Sequence, residues 1–204
     1  IEQAKAVNFV MLFMTFGFVL SLLLRLRIFS KDISFLAAIL LVWNPVYITQ
    51  LFSFYIDGQL YMTLLSIIAV LGTIYITHKN YLLVPLMMLI SLVWSLKLTG
   101  VIYAGFIMGS FSVLFWYSEK ILFFFKNIQI GFIASIIAVF IIGFNPYFTN
   151  TLRFHDPFYL PTEKNELVKV NIPENYFDMN PVQRLIMSIL SKSDNVKGIG
   201  GEAT

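Results

Sequence analysis

The sequence contains no cysteine and little charge. Its 204 residues include two His and only 12% Asp, Glu, Lys and Arg. Without cysteine, disulfides and thiolate metal sites are excluded, and the redox compartment is not indicated. The sequence also lacks a nucleophile motif, a glycine-rich phosphate loop and a His/Cys cluster with metal-ligand spacing. Function therefore has to be inferred from where the few polar residues lie.

Apolar residues are in excess. They make up 58% of the chain, and the mean hydropathy is +0.81. A soluble domain has roughly half apolar and about a quarter charged residues. The excess predicts that a lipid bilayer surrounds much of the chain. The net charge of +3 is small, and the basic residues of the chain lie in short segments rather than in one patch, so no nucleic-acid partner is predicted.

Six apolar runs predict an all-α integral membrane protein, a bundle of about six transmembrane helices. A span needs about 20 residues, with about 17 as the lower limit. The first, third, fifth and sixth runs meet this length, whereas the second and fourth are marginal. The runs cover approximately residues 6–24, 33–49, 58–77, 81–96, 98–118 and 128–144.

Basic residues in short loops predict the orientation of the bundle. Cytoplasmic loops carry an excess of Lys and Arg. With six spans, three basic loops fall on one side, which we expect to be cytoplasmic. They contain Arg25, Arg27 and Lys31 after the first run, Lys79 after the third, and Lys120 and Lys126 after the fifth.

The chain divides by composition into a helical bundle, 1–150, and an external segment, 151–204. The second part is polar and punctuated by proline. Asn180 as N-cap and Pro181 as first helical residue predict a short amphipathic helix near 181–191, which would lie at the membrane interface or pack on a further domain. The start at Ile1 and the glycine-rich end are those expected of an internal fragment of a longer protein.

Asp57 is the only carboxylate between Asp32 and Glu119. A carboxylate at the mouth of a span can face water, and at a helix N-terminus it can cap the helix and interact with its dipole. The functional alternative is a base, a metal ligand or a substrate contact in an outward-facing cavity. Gln59 and Tyr61 lie nearby and can hydrogen-bond a sugar.

Lys97 lies in a very short connection on the side where the positive-inside rule disfavours lysine. A cation held there can bind a lipid phosphate, or it can snorkel to the headgroups without a specific role. Arg153 and His155, in the stretch that follows the last run, are further candidate contacts to phosphate or hydroxyl groups. These three residues and Asp57 are all predicted on the outer side.

Three stretches resemble the membrane region of GT-C-type glycosyltransferases, nearest to the bacterial protein mannosyltransferase-like and lipid A aminoarabinose transferase-like branch. They are "WNPVYITQLFSFYIDGQLYMTLL", "KLTG" and "NPYFTNTLRFHDPFYLP". The resemblance covers most of residues 1–161. It implies an enzyme of the bacterial inner membrane, active on the outer face, that moves a sugar from a polyprenyl-phosphate carrier to a glycan, lipid or protein acceptor.

The resemblance also implies roles for residues. The principal catalytic acid of the family lies after the first span, so it is expected upstream of this fragment, and Asp57 would be a supporting acid. Lys97 and Arg153 would stabilise the leaving lipid phosphate. No cofactor is certain, and the use of a divalent metal stays open. The rival hypothesis is a transporter or lipid flippase, and a third is a membrane scaffold without chemistry.

Overall fold

The computed structural model describes residues 2–51, 56–142, 149–155 and 183. The chain divides into two units, Ile1–Phe158 and Tyr159–Thr204, and the bundle below belongs to the first. The predicted amphipathic helix near 181–191 lies outside the described residues, apart from Gln183, which is helical. That helix and most of the predicted external segment therefore stay predictions.

Every regular element in the described part of the chain is a helix. Helix α5 is preceded by a 3-10 turn, Asn80–Leu82, and α7 continues as a π-helical turn, Ala138–Ile142. The eight α-helices are α1 (Glu2–Leu26), α2 (Lys31–Val42), α3 (Pro45–Gln50), α4 (Ile56–Thr77), α5 (Leu83–Leu96), α6 (Leu98–Tyr117), α7 (Ile121–Ile137) and α8 (Thr149–Phe154).

Four helical segments of the described chain are long and apolar enough to cross a bilayer. They are Ala6–Leu26, Ile56–Thr77, Thr99–Tyr117 and Ile121–Ile141, which correspond to the first, third, fifth and sixth apolar runs. Helices α2 and α5, from the second and fourth runs, have only 12 and 14 residues. The expectation of an all-α bundle is confirmed, and the four runs predicted to have full spanning length form the four long helices of the described chain, whereas a total of six spans stays a prediction.

Helix α7 begins seven residues before the predicted start of the sixth run. Glu119, with φ of 58°, turns the chain directly after α6, and Lys120 then caps α7. Lys126 therefore lies in a helix and not, as predicted, in a loop. Its position is tolerated because the ammonium reaches the end of the bundle, where it donates to Asn80 Oδ1 at 2.9 Å.

Helices α1 and α4 run parallel and in contact. The hydroxyls of Thr15 and Ser66 are 2.9 Å apart, and Gln59 Nε2 donates to Asn8 Oδ1 at 2.8 Å, both pairs 51 residues apart in sequence. Gly72 continues the contact, because a Cβ there would lie 2.9 Å from a methyl group of Leu22. Small and polar side chains thus set the register of the two longest helices.

The bundle has two chemically different ends. The Arg25 end carries Arg25, Lys79 and Lys120. Lys120 Nζ donates to Tyr75 O at 2.9 Å, which places it at the end of α4. Because α1 runs parallel to α4, Arg25 at the end of α1 lies on the same side. The Asp57 end carries Asp57 and Lys97, at the beginnings of α4 and α6. The three basic segments predicted to share one side therefore lie at one end of the bundle.

The bundle is apolar outside as well as inside. Phe106 on α6 and Ile141 after α7 are each 72% exposed, whereas Ile67 and Val93 are fully buried. A helix that is apolar all round is typical of a membrane span. These surfaces and the four long helices indicate an integral membrane protein with a lipid bilayer around it.

The buried Thr15–Ser66 contact provides a test of the α1–α4 register. Thr15→Val keeps the shape of the side chain and removes its hydroxyl, so we expect a loss of about 1 kcal/mol in the free energy of unfolding. A double-mutant cycle with Ser66→Ala should give a coupling of about 0.6 kcal/mol, measured by denaturation in mixed micelles. Ser110→Ala, on an exposed hydroxyl bonded within its own helix, is the control. Zero coupling would contradict this register.

Candidate functional site

Asp57 and Lys97 form an ion pair at the Asp57 end. Lys97 Nζ lies 3.0 Å from Asp57 Oδ1, and the two residues are 40 positions apart in sequence. The side chain of Asp57 is 53% exposed and that of Lys97 is 45% exposed. Such exposed pairs contribute about 0.2–1 kcal/mol to stability. The pair is therefore open to water and to a ligand, and little binding energy is needed to separate it.

The backbone fixes Lys97 in this place. It is the single residue between α5 and α6, in an extended conformation, and its carbonyl accepts a hydrogen bond from Gly100 N at 2.9 Å. Gly100 permits the turn to approach α4, because a Cβ there would overlap the side chain of Leu60. The short turn and the missing Cβ together bring the lysine to the first turn of α4.

The two charges differ in their relation to the helix dipoles. Asp57 lies in the first turn of α4, where a negative charge is favoured. Lys97 is both the C-cap of α5, where a positive charge is favoured, and the N-cap of α6, where it is disfavoured. The aspartate offsets the unfavourable contribution from the start of α6, and an anionic ligand bound between the starts of α4 and α6 would do the same.

Helix α3 supports the start of α4. Gln50 Oε1 accepts a hydrogen bond from Gly58 N at 2.6 Å. A Cβ at Gly58 would lie 3.0 Å from both Gln50 Oε1 and the ring of Tyr47, so the close approach requires glycine. One donor of the first turn of α4 is thereby satisfied by a side chain from another helix.

A buried polar cluster lies between α1, α3 and α4. The Tyr47 hydroxyl donates to Asn8 O, and Asn8 Nδ2 donates to Leu51 O at 3.0 Å. Tyr47 is 1% exposed, and burial raises the pKa of its hydroxyl from 10.0 to about 12. The hydroxyl is therefore a neutral donor throughout the physiological range and serves to hold the helices.

The structure uses the two other predicted sugar contacts on α4 for packing. Gln59 Nε2 donates to Asn8 Oδ1, and the Tyr61 hydroxyl donates to Leu41 O at 2.7 Å. These bonds tie α4 to α1 and to the end of α2. A sugar would have to compete with them for the same donors.

Arg153 and His155 lie at the end of α8. Both are exposed, and His155 has a φ of 58°. Among the described residues, no hydrogen bond or ion pair joins either side chain to Asp57 or Lys97. The structure thus brings Asp57 and Lys97 together, and Gln59 lies near Asp57 at the start of α4. The roles of Arg153 and His155 stay predictions.

No group of three His, Cys, Asp or Glu side chains able to hold a metal converges within the described ranges. The nearest charged partner of Asp57 is the Lys97 ammonium. In this arrangement Asp57 can accept a proton or a hydrogen bond, and Lys97 can contact an anion.

One buried polar residue was missed from the sequence. Asn127 directly precedes the predicted sixth run, 128–144, yet it lies in α7 and is 2% exposed. Its Nδ2 donates to Met108 O at 3.0 Å and to Ser112 Oγ at 2.7 Å. The signal available in the sequence was weak, because Asn127 lies between Lys126 and Gln129, and only the structure shows which of these three polar residues faces inward.

Comparisons with known proteins identify no relative: no family model, no curated protein and no solved structure matches the chain. The functional interpretation therefore depends on the residues themselves and on the short motifs described above.

The Tyr47 hydroxyl provides a pH-dependent test of the buried cluster. At neutral pH, Tyr47→Phe should lower the free energy of unfolding by about 1 kcal/mol, because the buried hydrogen bond from the Tyr47 hydroxyl to Asn8 O is lost. The contribution of the tyrosine is complete below pH 10 and is lost as the pH rises toward 12, since the unfolded state then releases a proton that the folded state retains. The advantage of wild type over the variant should shrink across this window.

Tyr81→Phe is the matched control, because the Tyr81 side chain is 63% exposed. Unfolding in detergent would be followed by circular dichroism at several pH values between 8 and 12. A constant difference between wild type and Tyr47→Phe across this range would contradict a buried neutral hydroxyl.

Proposed function

We propose that the chain is part of a membrane glycosyltransferase, a hexosyl- or pentosyltransferase that uses a polyprenyl-phosphate sugar as donor. The acceptor would be a glycan, a lipid or a protein on the outer side of a bacterial inner membrane. The observation that carries the proposal is the exposed ion pair of Asp57 and Lys97, 3.0 Å apart at one end of the bundle. The motif resemblance to GT-C enzymes supplies the reaction class.

The pair fits this chemistry because it offers an acid and a cation side by side. A donor phosphate that reaches Lys97 would replace Asp57 and accept charge-assisted hydrogen bonds from the Lys97 ammonium. Asp57, separated from Lys97, could then hold or orient the acceptor hydroxyl as a supporting carboxylate. About half of the surface of each side chain is exposed, so a phosphate can reach Lys97 and replace Asp57 as its partner.

The proposed reaction is an inverting transfer. A carboxylate, expected upstream of Ile1, removes the proton of the acceptor hydroxyl, and the resulting oxygen nucleophile attacks the anomeric carbon. The bond from that carbon to the phosphate oxygen breaks, and the electron pair leaves with the lipid phosphate. Lys97 stabilises the charge that develops on this oxygen. Arg153 and His155 are proposed as further contacts to phosphate or hydroxyl groups.

The charge distribution supports an outward-facing site. Arg25, Lys79 and Lys120 lie at the opposite end from Asp57, so the positive-inside rule orients the Asp57 end outward. The ionisable side chains of the described spans lie toward helix ends. A transporter or flippase more often has such groups near the middle of the bilayer.

Transfer assays on the full-length protein test the proposal. Asp57→Asn and Lys97→Ala should each lower transfer of labelled sugar from a polyprenyl-phosphate donor by about 10-fold to 1,000-fold, because each removes a charge that acts on the transition state. Asp32→Asn and Lys79→Ala are matched controls, since both residues are exposed at the Arg25 end. Folding of every variant is checked by thermal unfolding.

The exchange variant Asp57→Lys with Lys97→Asp separates chemistry from packing. If the pair only holds the helices together, the exchange should restore activity, because the ion pair is retained. If the pair acts on the substrate, the exchange should stay as inactive as the single variants. Folded single variants with wild-type transfer rates would show that the proposed site is wrong.

A further inference from the structure

A cavity lies between α5, α6 and α7, and neither Asp57 nor Lys97 is among its lining residues. Its volume is about 280 Å³, and its walls include Trp94 on α5, Met108 on α6, and Asn127 and Ser135 on α7. It opens to the outer surface of the bundle, where Gly105 and Gly109 are exposed, and it is mostly apolar with a few polar groups. Concave apolar sites with few convergent polar groups are typical ligand sites.

Two glycines on α6 create the space. Gly105 and Gly109 both line the cavity, and a Cβ placed on either would meet no atom within 4 Å. In contrast, Gly72 and Gly100 lie against neighbouring side chains. The helix–helix packing seen in the described chain does not require glycine at 105 or 109, so these residues leave room for something else.

Asn127 supplies an acceptor that the described residues leave unused. The residue lines the cavity and is 2% exposed, and its Nδ2 makes two hydrogen bonds across to α6. Its Oδ1 is buried and has no hydrogen-bond partner in the described structure. Buried polar atoms without partners are rare and require an explanation. A donor on a bound molecule provides one.

The dimensions of the cavity fit a chain rather than a side chain. Asn127 and Ser135, at opposite ends, are eight residues apart on α7, or about 12 Å along a helix. This is on the order of ten carbons of an extended hydrocarbon with C–C bonds of about 1.5 Å. A cavity of about 150 Å³ holds one benzene, so 280 Å³ holds on the order of twelve carbons. A protein side chain is too short to fill this length.

We propose that this cavity binds one hydrocarbon chain of a bilayer lipid that carries a hydroxyl or amide N–H donor. The donor would bind Asn127 Oδ1, and the chain would run along Gly109 and Gly105 toward Trp94 and Ser135. The Asn127 side of the cavity lies toward the Arg25 end, seven residues or about 10 Å into α7 from Lys120. This site is independent of the proposed glycosyl transfer.

Tryptophan fluorescence can measure this binding. Trp43→Phe and Trp116→Phe leave Trp94 as the single reporter inside the cavity. The probe is ω-bromodecanol, whose hydroxyl would bind Asn127 and whose bromine would then quench Trp94. Its methyl ether has the same chain without a donor. We expect the alcohol to bind about fivefold more tightly than the ether, and Asn127→Leu to abolish this difference.

Gly109→Leu should fill the cavity and weaken quenching at least tenfold, because a Cβ at this position meets only open space. Gly17→Leu is the matched control, because a Cβ at Gly17 on α1 also meets no atom within 4 Å and lies outside the cavity. A 3-hydroxyacyl lipid should displace the probe, and a diacyl lipid without a hydroxyl should displace it poorly.

Three results would overturn the proposal. Equal quenching in Gly109→Leu and wild type would mean that bromine reaches Trp94 from the surrounding micelle. Equal affinity for alcohol and ether would exclude a role for the Asn127 acceptor. A dimer, measured by analytical ultracentrifugation, that dissociates in Gly109→Leu would mean that a second copy covers this face.

Discussion

The backbone of this protein has to satisfy its hydrogen bonds without water over most of its length. In a bilayer an unpaired N–H or C=O group costs several kcal/mol, so an apolar segment becomes a helix. In the described part of the chain, each of the six apolar runs accordingly contributes a helix, including the two runs whose helices are too short to span. The arrangement of those helices is a separate problem, because lipid tails compete with apolar side chains for the same contacts.

Small and polar side chains solve that problem here. Thr15 with Ser66 sets the α1–α4 register, and Ser91 Oγ donates to Ala134 O at 3.2 Å between α5 and α7. Glycine allows close approach where Gly72 lies against Leu22 and where Gly100 lies against Leu60. Each contact is weak by itself, but together they select one packing among many of similar apolar area.

The two ends of the bundle perform different tasks. At the Arg25 end, Lys120 is held by Tyr75, with its ammonium 3.7 Å from the ring centre as well as bonded to the backbone. At the Asp57 end, the side chains of Asp57 and Lys97 are exposed and form an ion pair with each other. The first arrangement stabilises the helix ends, whereas the second leaves an acid and a cation available to a ligand, which is why the proposed site lies there.

The sequence by itself determined the helices, the four runs of spanning length and the grouping of basic residues, because these depend on local hydropathy and on the backbone in lipid. It placed α7 too late, since Lys126 and Asn127 lower the local hydropathy although both are accommodated within a helix. It placed Asp57 and Lys97 on one side from alternation of the spans. Only the tertiary structure decided that they touch, that Gln59 and Tyr61 bind neighbouring helices, and that Asn127 lines a cavity. Contacts between residues 40 or more positions apart depend on how the helices are aligned and rotated against each other. A missing Cβ or one hydroxyl selects this alignment, and the apolar pattern of the sequence does not specify it.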